Sequence, residues 1–112
     1  MKVYHNPRCS KSRETVALLD EKGVEYETVL YLEDAPNQEE LENLVGKLGI
    51  EAKELVRTGE PVYNEKYKGK KLSEKQWIKA MVANPNLIQR PIVVKGNKAV
   101  LGRPPEKVLE LL

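Results

Sequence analysis

Cysteine and histidine are almost absent from this chain, which has one of each, and so is any long apolar run. A single cysteine excludes an internal disulfide and any multi-cysteine zinc site. It points to a reducing compartment, with the cytoplasm as the expected location. No stretch approaches the roughly 20 apolar residues that a membrane helix needs, and no signal-like segment is read at the start. Charge of one sign is also scarce: 19 basic against 17 acidic residues leave a net charge of +2. That balance lacks the strongly basic face expected of a nucleic-acid partner. No low-complexity tract interrupts the chain, and 112 residues suit one domain with one core, expected as a monomer over 1–112.

The two scarce residues sit together, in His5-Asn6-Pro7-Arg8-Cys9-Ser10-Lys11-Ser12-Arg13. Met1 to Tyr4 reads as a short first strand, Asn6-Pro7 breaks it, and Ser10 onward carries apolar positions at helical spacing. Cys9 therefore falls in the cap or first turn of a helix. Unpaired N–H groups and the positive end of the helix dipole favour a thiolate there. Arg8, Arg13 and a protonated His5 would add positive charge and lower the thiol pKa further. The same donors suit an oxyanion, so one loop can activate a nucleophile and bind an anionic substrate. A lone cysteine is more often a small core residue, but the polar neighbours of Cys9 describe an exposed loop. His5 is either a strand-end residue satisfied by a backbone group or part of the tuning.

Only five of the 19 basic residues are arginines: Arg8, Arg13, Arg57, Arg90 and Arg103. They fall at loops and element ends, where a planar fork of donors suits oxyanions better than the flexible point charge of lysine. Several of them converging on one anion is the functional expectation. Surface ion pairing is the alternative for each.

The rest of the chain reads as follows. Gly23 closes the first helix, and Val24 to Leu32 alternates as a second strand, giving a βαβ unit. A helical insert at about 35–84 follows. It has a helix entered through Ala35 to Glu40 and closed by Gly49, a short helix over 52–57, and a charged loop or frayed helix over 63–71. A further helix from Ser73 carries Trp77 in the core. Ile92-Val93-Val94 and Ala99-Val100-Leu101 then form a hairpin around Gly96-Asn97, with Pro91 at a strand start, and Lys107 to Leu112 forms a closing helix. The fold class is α/β, a four-stranded mixed sheet built from βαβ and then ββα.

This order resembles the thioredoxin fold. The segments His5-Asn6-Pro7-Arg8-Cys9-Ser10, Arg57-Thr58-Gly59-Glu60-Pro61, Arg90-Pro91-Ile92-Val93-Val94 and Gly102-Arg103-Pro104 resemble, in register, the glutathione- and glutaredoxin-dependent arsenate reductases. The resemblance implies that Cys9 attacks arsenate, that Arg57, Arg90 and Arg103 bind the oxyanion, and that glutathione and glutaredoxin complete the reduction. With no second thiol in the chain, an external one is required. No tightly bound cofactor and no metal are implied. Ser12, at the place of the second sulfur in a Cys-x-x-Cys motif, either hydrogen-bonds the thiolate or caps the helix. The resemblance also implies a cis Arg90–Pro91 bond. Two other uses fit the same family: a general glutathione-dependent thiol oxidoreductase, and an RNA-polymerase-binding regulator. The regulator's paired-cysteine switch is impossible with Cys9 alone.

Overall fold

A computed structural model describes residues 1–112. The chain divides into two compact units, one of 1–34 with 90–112 and the other of 35–89.

The first unit holds the sheet, in the order β2-β1-β3-β4. Strand β1 (Lys2–Tyr4) pairs in parallel with β2 (Glu27–Val29), with Val3 opposite Thr28. On its other side β1 pairs antiparallel with β3 (Ile92–Lys95), with Val3 opposite Val93. Strand β4 (Lys98–Leu101) completes a hairpin with β3. Its two-residue loop begins with Gly96 at φ 60, the glycine-first arrangement that matches strand twist. Helix α1 (Ser10–Glu21) makes the crossover and lays Leu19 into a core with Val3, Val93, Val108 and Leu111. The mixed sheet and the βαβ-then-ββ order match the sequence reading.

One segment of this unit differs from it. The second strand is three residues long, not nine, because its only ladder partner, β1, ends where Asn6-Pro7 begins. Beyond Val29 the chain turns, and the Leu30 carbonyl accepts the N–H groups of Glu33 and Asp34. The closing helix lies where the residues suggest, over Pro105–Leu111, and is of the 3₁₀ type. Its buried residues, Pro105, Val108 and Leu111, recur every third position, the period of that helix, and leave Leu109 and Leu112 exposed.

In the second unit, α2 (Gln38–Leu48) starts at Asn37, whose side chain accepts the Glu40 N–H at 2.8 Å, and stops at Gly49 with φ 69. Helix α3 (Glu74–Ala83) opens with a reciprocal Ser73–Gln76 capping box. Its inner face, Trp77, Ile78 and Met81, is buried, as are Leu41, Leu44 and Leu55. The short helix ends at Leu55, earlier than its sequence suggests, because Val56 bridges to Ile88. Around that bridge Arg57 N–H donates to Leu87 O at 2.6 Å and Gln89 N–H to Leu55 O at 2.8 Å. Residues 63–67 form a π-helical turn that brings the Tyr63 and Tyr67 rings to 6.3 and 6.0 Å from Trp77. That packing orders a segment whose charge alone reads as a loop or frayed helix. No helix of the chain is long and apolar enough to cross a membrane.

Candidate active site

Helix α1 begins immediately after Cys9, which is its N-cap at φ −93, ψ 124. An N-cap side chain ordinarily offers oxygen to the N–H groups of the second and third helical residues. Here those residues are Lys11 and Ser12, and their N–H groups face sulfur. The contact is electrostatic in reach and not a closed cap hydrogen bond. Partial burial pushes the Cys9 thiol up. The N–H groups of Ser12 and Lys11, then the hydrogen bond and charge of the Arg90 guanidinium, outweigh it and hold the thiol below its ordinary value.

The loop that presents Cys9 is built by Asn6. Its backbone carbonyl accepts Cys9 N–H at 3.0 Å, and its buried side-chain Oδ1 accepts Arg8 N–H at 3.0 Å. Sequence reasoning treated Asn6 only as a strand breaker. The signal that could have found its second role is the Asn-Pro pair, since asparagine closes turns through its own side chain. Ser12 is fully buried. Its hydroxyl accepts Asn6 N–H at 3.1 Å and shares a 3.1 Å hydrogen bond with His5 Nδ1. So the hydroxyl of Ser12 is spent on the loop, and its backbone N–H is what faces the sulfur.

Three electrostatic expectations need correction. His5 is held below its ordinary pKa, first by burial and then by the charge of Arg13, so it is neutral near pH 7 and adds no positive charge. Its ring partner is the Ser12 hydroxyl and not a backbone group. Arg13 turns its Nη1 back to Pro7 O at 2.9 Å and braces the loop, while Arg8 is exposed. The cation that acts on sulfur is Arg90, 81 positions away in sequence. Adjacency along the chain put Arg8 and Arg13 first, but β3 lies beside β1 and carries Arg90 to the loop.

Arg90 is buried, with 7% of its surface exposed. The peptide bond to Pro91 is cis, as the resemblance implied, and so is Arg103–Pro104, which the sequence reading did not anticipate. The exposed Arg103 donates from Nη1 to Arg90 O at 3.2 Å, and Gly102 N–H donates to Pro91 O at 2.9 Å. Within the first unit Cys9 and Arg90 are thus brought together, and Arg103 is held on the Arg90 backbone. Arg57 belongs to the second unit, half-buried, with its guanidinium 3.9 Å from the Glu60 carboxylate. No group of three or more His, Cys, Asp or Glu side chains converges as a metal site would require. Chemically, the arrangement is a thiolate-biased sulfur beside a buried guanidinium.

The family model described as the ArsC family matches residues 4–111. Escherichia coli K12 holds a protein named uncharacterized protein YfgD that is 54% identical, covering 100% of this chain and 96% of its own. A Haemophilus influenzae protein named arsenate reductase is 45% identical, covering 98% and 97%. Among solved structures, arsenate reductase from Vibrio cholerae superposes with a TM-score of 0.94 at 47% identity, covering 100% of this chain and 98% of that one. The mixed four-stranded sheet is the thioredoxin-like fold of these proteins. By full-length similarity in sequence and in structure, the chain belongs to the ArsC family.

Proposed function

We propose that this chain is an arsenate reductase that draws its electrons from glutathione and glutaredoxin. The observation that carries the reading is the Cys9 sulfur, biased toward thiolate by helix N–H groups and by the buried Arg90. Relatives named arsenate reductase support the substrate. The absence of a second cysteine supports external thiols as reductants.

Cys9 Sγ attacks arsenic(V) and displaces one oxygen, which leaves as water once protonated. Arg90 and Arg103 neutralise the remaining oxygens. The glutathione sulfur then displaces a second oxygen as water. A glutaredoxin thiolate attacks that sulfur, the sulfur–arsenic bond breaks with its electron pair left on arsenic, and a mixed disulfide departs. Water displaces Cys9 from arsenic(III), releasing arsenite and restoring the thiol. Two thiols are oxidised for one arsenic reduced by two electrons.

The test is NADPH consumption with glutathione, glutathione reductase and glutaredoxin, with and without arsenate, on wild type and Cys9→Ser. Arsenate-dependent turnover that is lost in Cys9→Ser is expected. A folded protein with a rapidly alkylated Cys9 and no arsenate-dependent turnover would instead make it a general glutathione-dependent thiol oxidoreductase.

A further inference from the structure

Six of the seven glycines stand in open space, with nothing within 4 Å of where a Cβ would be. Gly102 is different. A Cβ there would lie 2.7 Å from Thr15 Oγ1, 2.8 Å from Pro91 Cγ and 3.4 Å from Pro91 Cδ. Neither obstacle yields easily. The Thr15 side chain is short, buried and donates from Oγ1 to Lys11 O at 3.0 Å, and Pro91 is a closed ring. The backbone φ at Gly102 lies outside the left-handed region, so space and not conformation is what requires glycine.

This contact joins three pieces of the site. Thr15 comes from the first turns of α1, whose N-cap is Cys9. Pro91 follows Arg90, and Gly102 precedes Arg103. The approach is fixed further by Gly102 N–H on Pro91 O at 2.9 Å and Arg103 Nη1 on Arg90 O at 3.2 Å. We propose that Gly102 is a positioning residue: the missing side chain lets the Arg103 loop close on Pro91 and Thr15, and this closure aims Arg90 and Arg103 at the Cys9 sulfur. The inference rests on the arsenate reductase reading for its activity readout and on geometry alone for the rest.

Gly102→Ala is measured in two ways, by the pH dependence of Cys9 alkylation with iodoacetamide and by kcat/KM for arsenate. The alkylation midpoint moves up as Arg90 shifts off the sulfur. The value of kcat/KM falls by about tenfold to a hundredfold, the loss that a misplacement of up to about 1 Å carries. Adding Thr15→Ala removes one of the two short contacts and returns part of both losses, which a general folding defect does not predict. A folded Gly102→Ala with both readouts unchanged overturns the proposal, as does a double variant no better than the single one. If Gly102→Ala does not fold, Thr15→Val puts a methyl group where the hydroxyl meets Gly102. The same two shifts are expected from it, and their absence overturns the proposal. A raised alkylation midpoint in Gly102→Ala, alongside a wild type that never turns over arsenate, would sink the arsenate reading and keep the positioning role.

Discussion

The two units are built on opposite terms. Every buried polar or charged side chain of the molecule, Asn6, Ser12, Thr15 and Arg90, lies in the first unit, on the cysteine loop, on α1 or at the start of the hairpin. The second unit buries leucine, isoleucine, methionine and tryptophan and keeps its polar caps, Asn37 and Ser73, at the exposed surface. A buried polar group stabilises only when its partners are in place and is costly when they are not. The first unit accepts that risk to hold a loop and a guanidinium against one sulfur, whereas the second is optimised for packing. Substitutions in the first should therefore be read out in chemistry, and those in the second in stability.

The largest departure is expected from Arg90→Ala. It removes the guanidinium on the sulfur, so the Cys9 alkylation midpoint rises and kcat/KM for arsenate falls by about a hundredfold to a thousandfold, as for other lost anion donors. Arg103→Ala gives a smaller loss in kcat/KM with only a small drop in melting temperature, since its side chain is exposed and loses one hydrogen bond, to Arg90 O. If both variants lost activity only in proportion to stability, the contrast between the units would collapse. In the second unit, Leu55→Ala empties a fully buried site and should cost about 2–5 kcal/mol in denaturant unfolding. Ser73→Ala removes one half of a capping box and should cost about 1 kcal/mol, with arsenate kinetics intact.

The smallest effect concerns pH. His5 is held below its ordinary value, so the folded state resists its protonation. Its neutral form is present in both states above the unfolded pKa of about 6.5. As pH falls from there through the folded pKa, the unfolded state takes up the proton first and stability declines. The lowered Cys9 pKa acts in the same direction over a higher window. Its stabilisation is full above the unfolded thiol pKa and is lost as pH falls through the folded one. His5→Gln should flatten the stability profile below about pH 6.5, and an unchanged slope would show that His5 is not its source.

What could be read from the sequence was local. The cap position of Cys9, the stop at Gly49, the start at Ser73 and the glycine-first hairpin each depend on residues within a few positions, and each stands where the residues put it. The misreadings came from influences acting across the chain. The second strand is cut to the length of its neighbour, and residues 63–67 are ordered by a ring contributed from α3. Arg90, not the adjacent Arg8 or Arg13, reaches the thiol because sheet register brings it there. The protonation state of His5 follows from burial, which a string of letters does not display. Gly102 left no signal, because the atoms that forbid a side chain there come from Thr15 and Pro91.

The solitary thiol has a consequence for how this molecule meets oxidants. A protein with a neighbouring thiol can trap a sulfenic acid as an internal disulfide and wait for repair. Here the one cysteine has no partner in its own chain, and its thiolate bias also makes it readily oxidised. Its damage is therefore all-or-none per molecule. Activity lost to peroxide should equal the fraction of Cys9 oxidised, and only a thiol arriving from outside, before the next oxidation step, can reverse it.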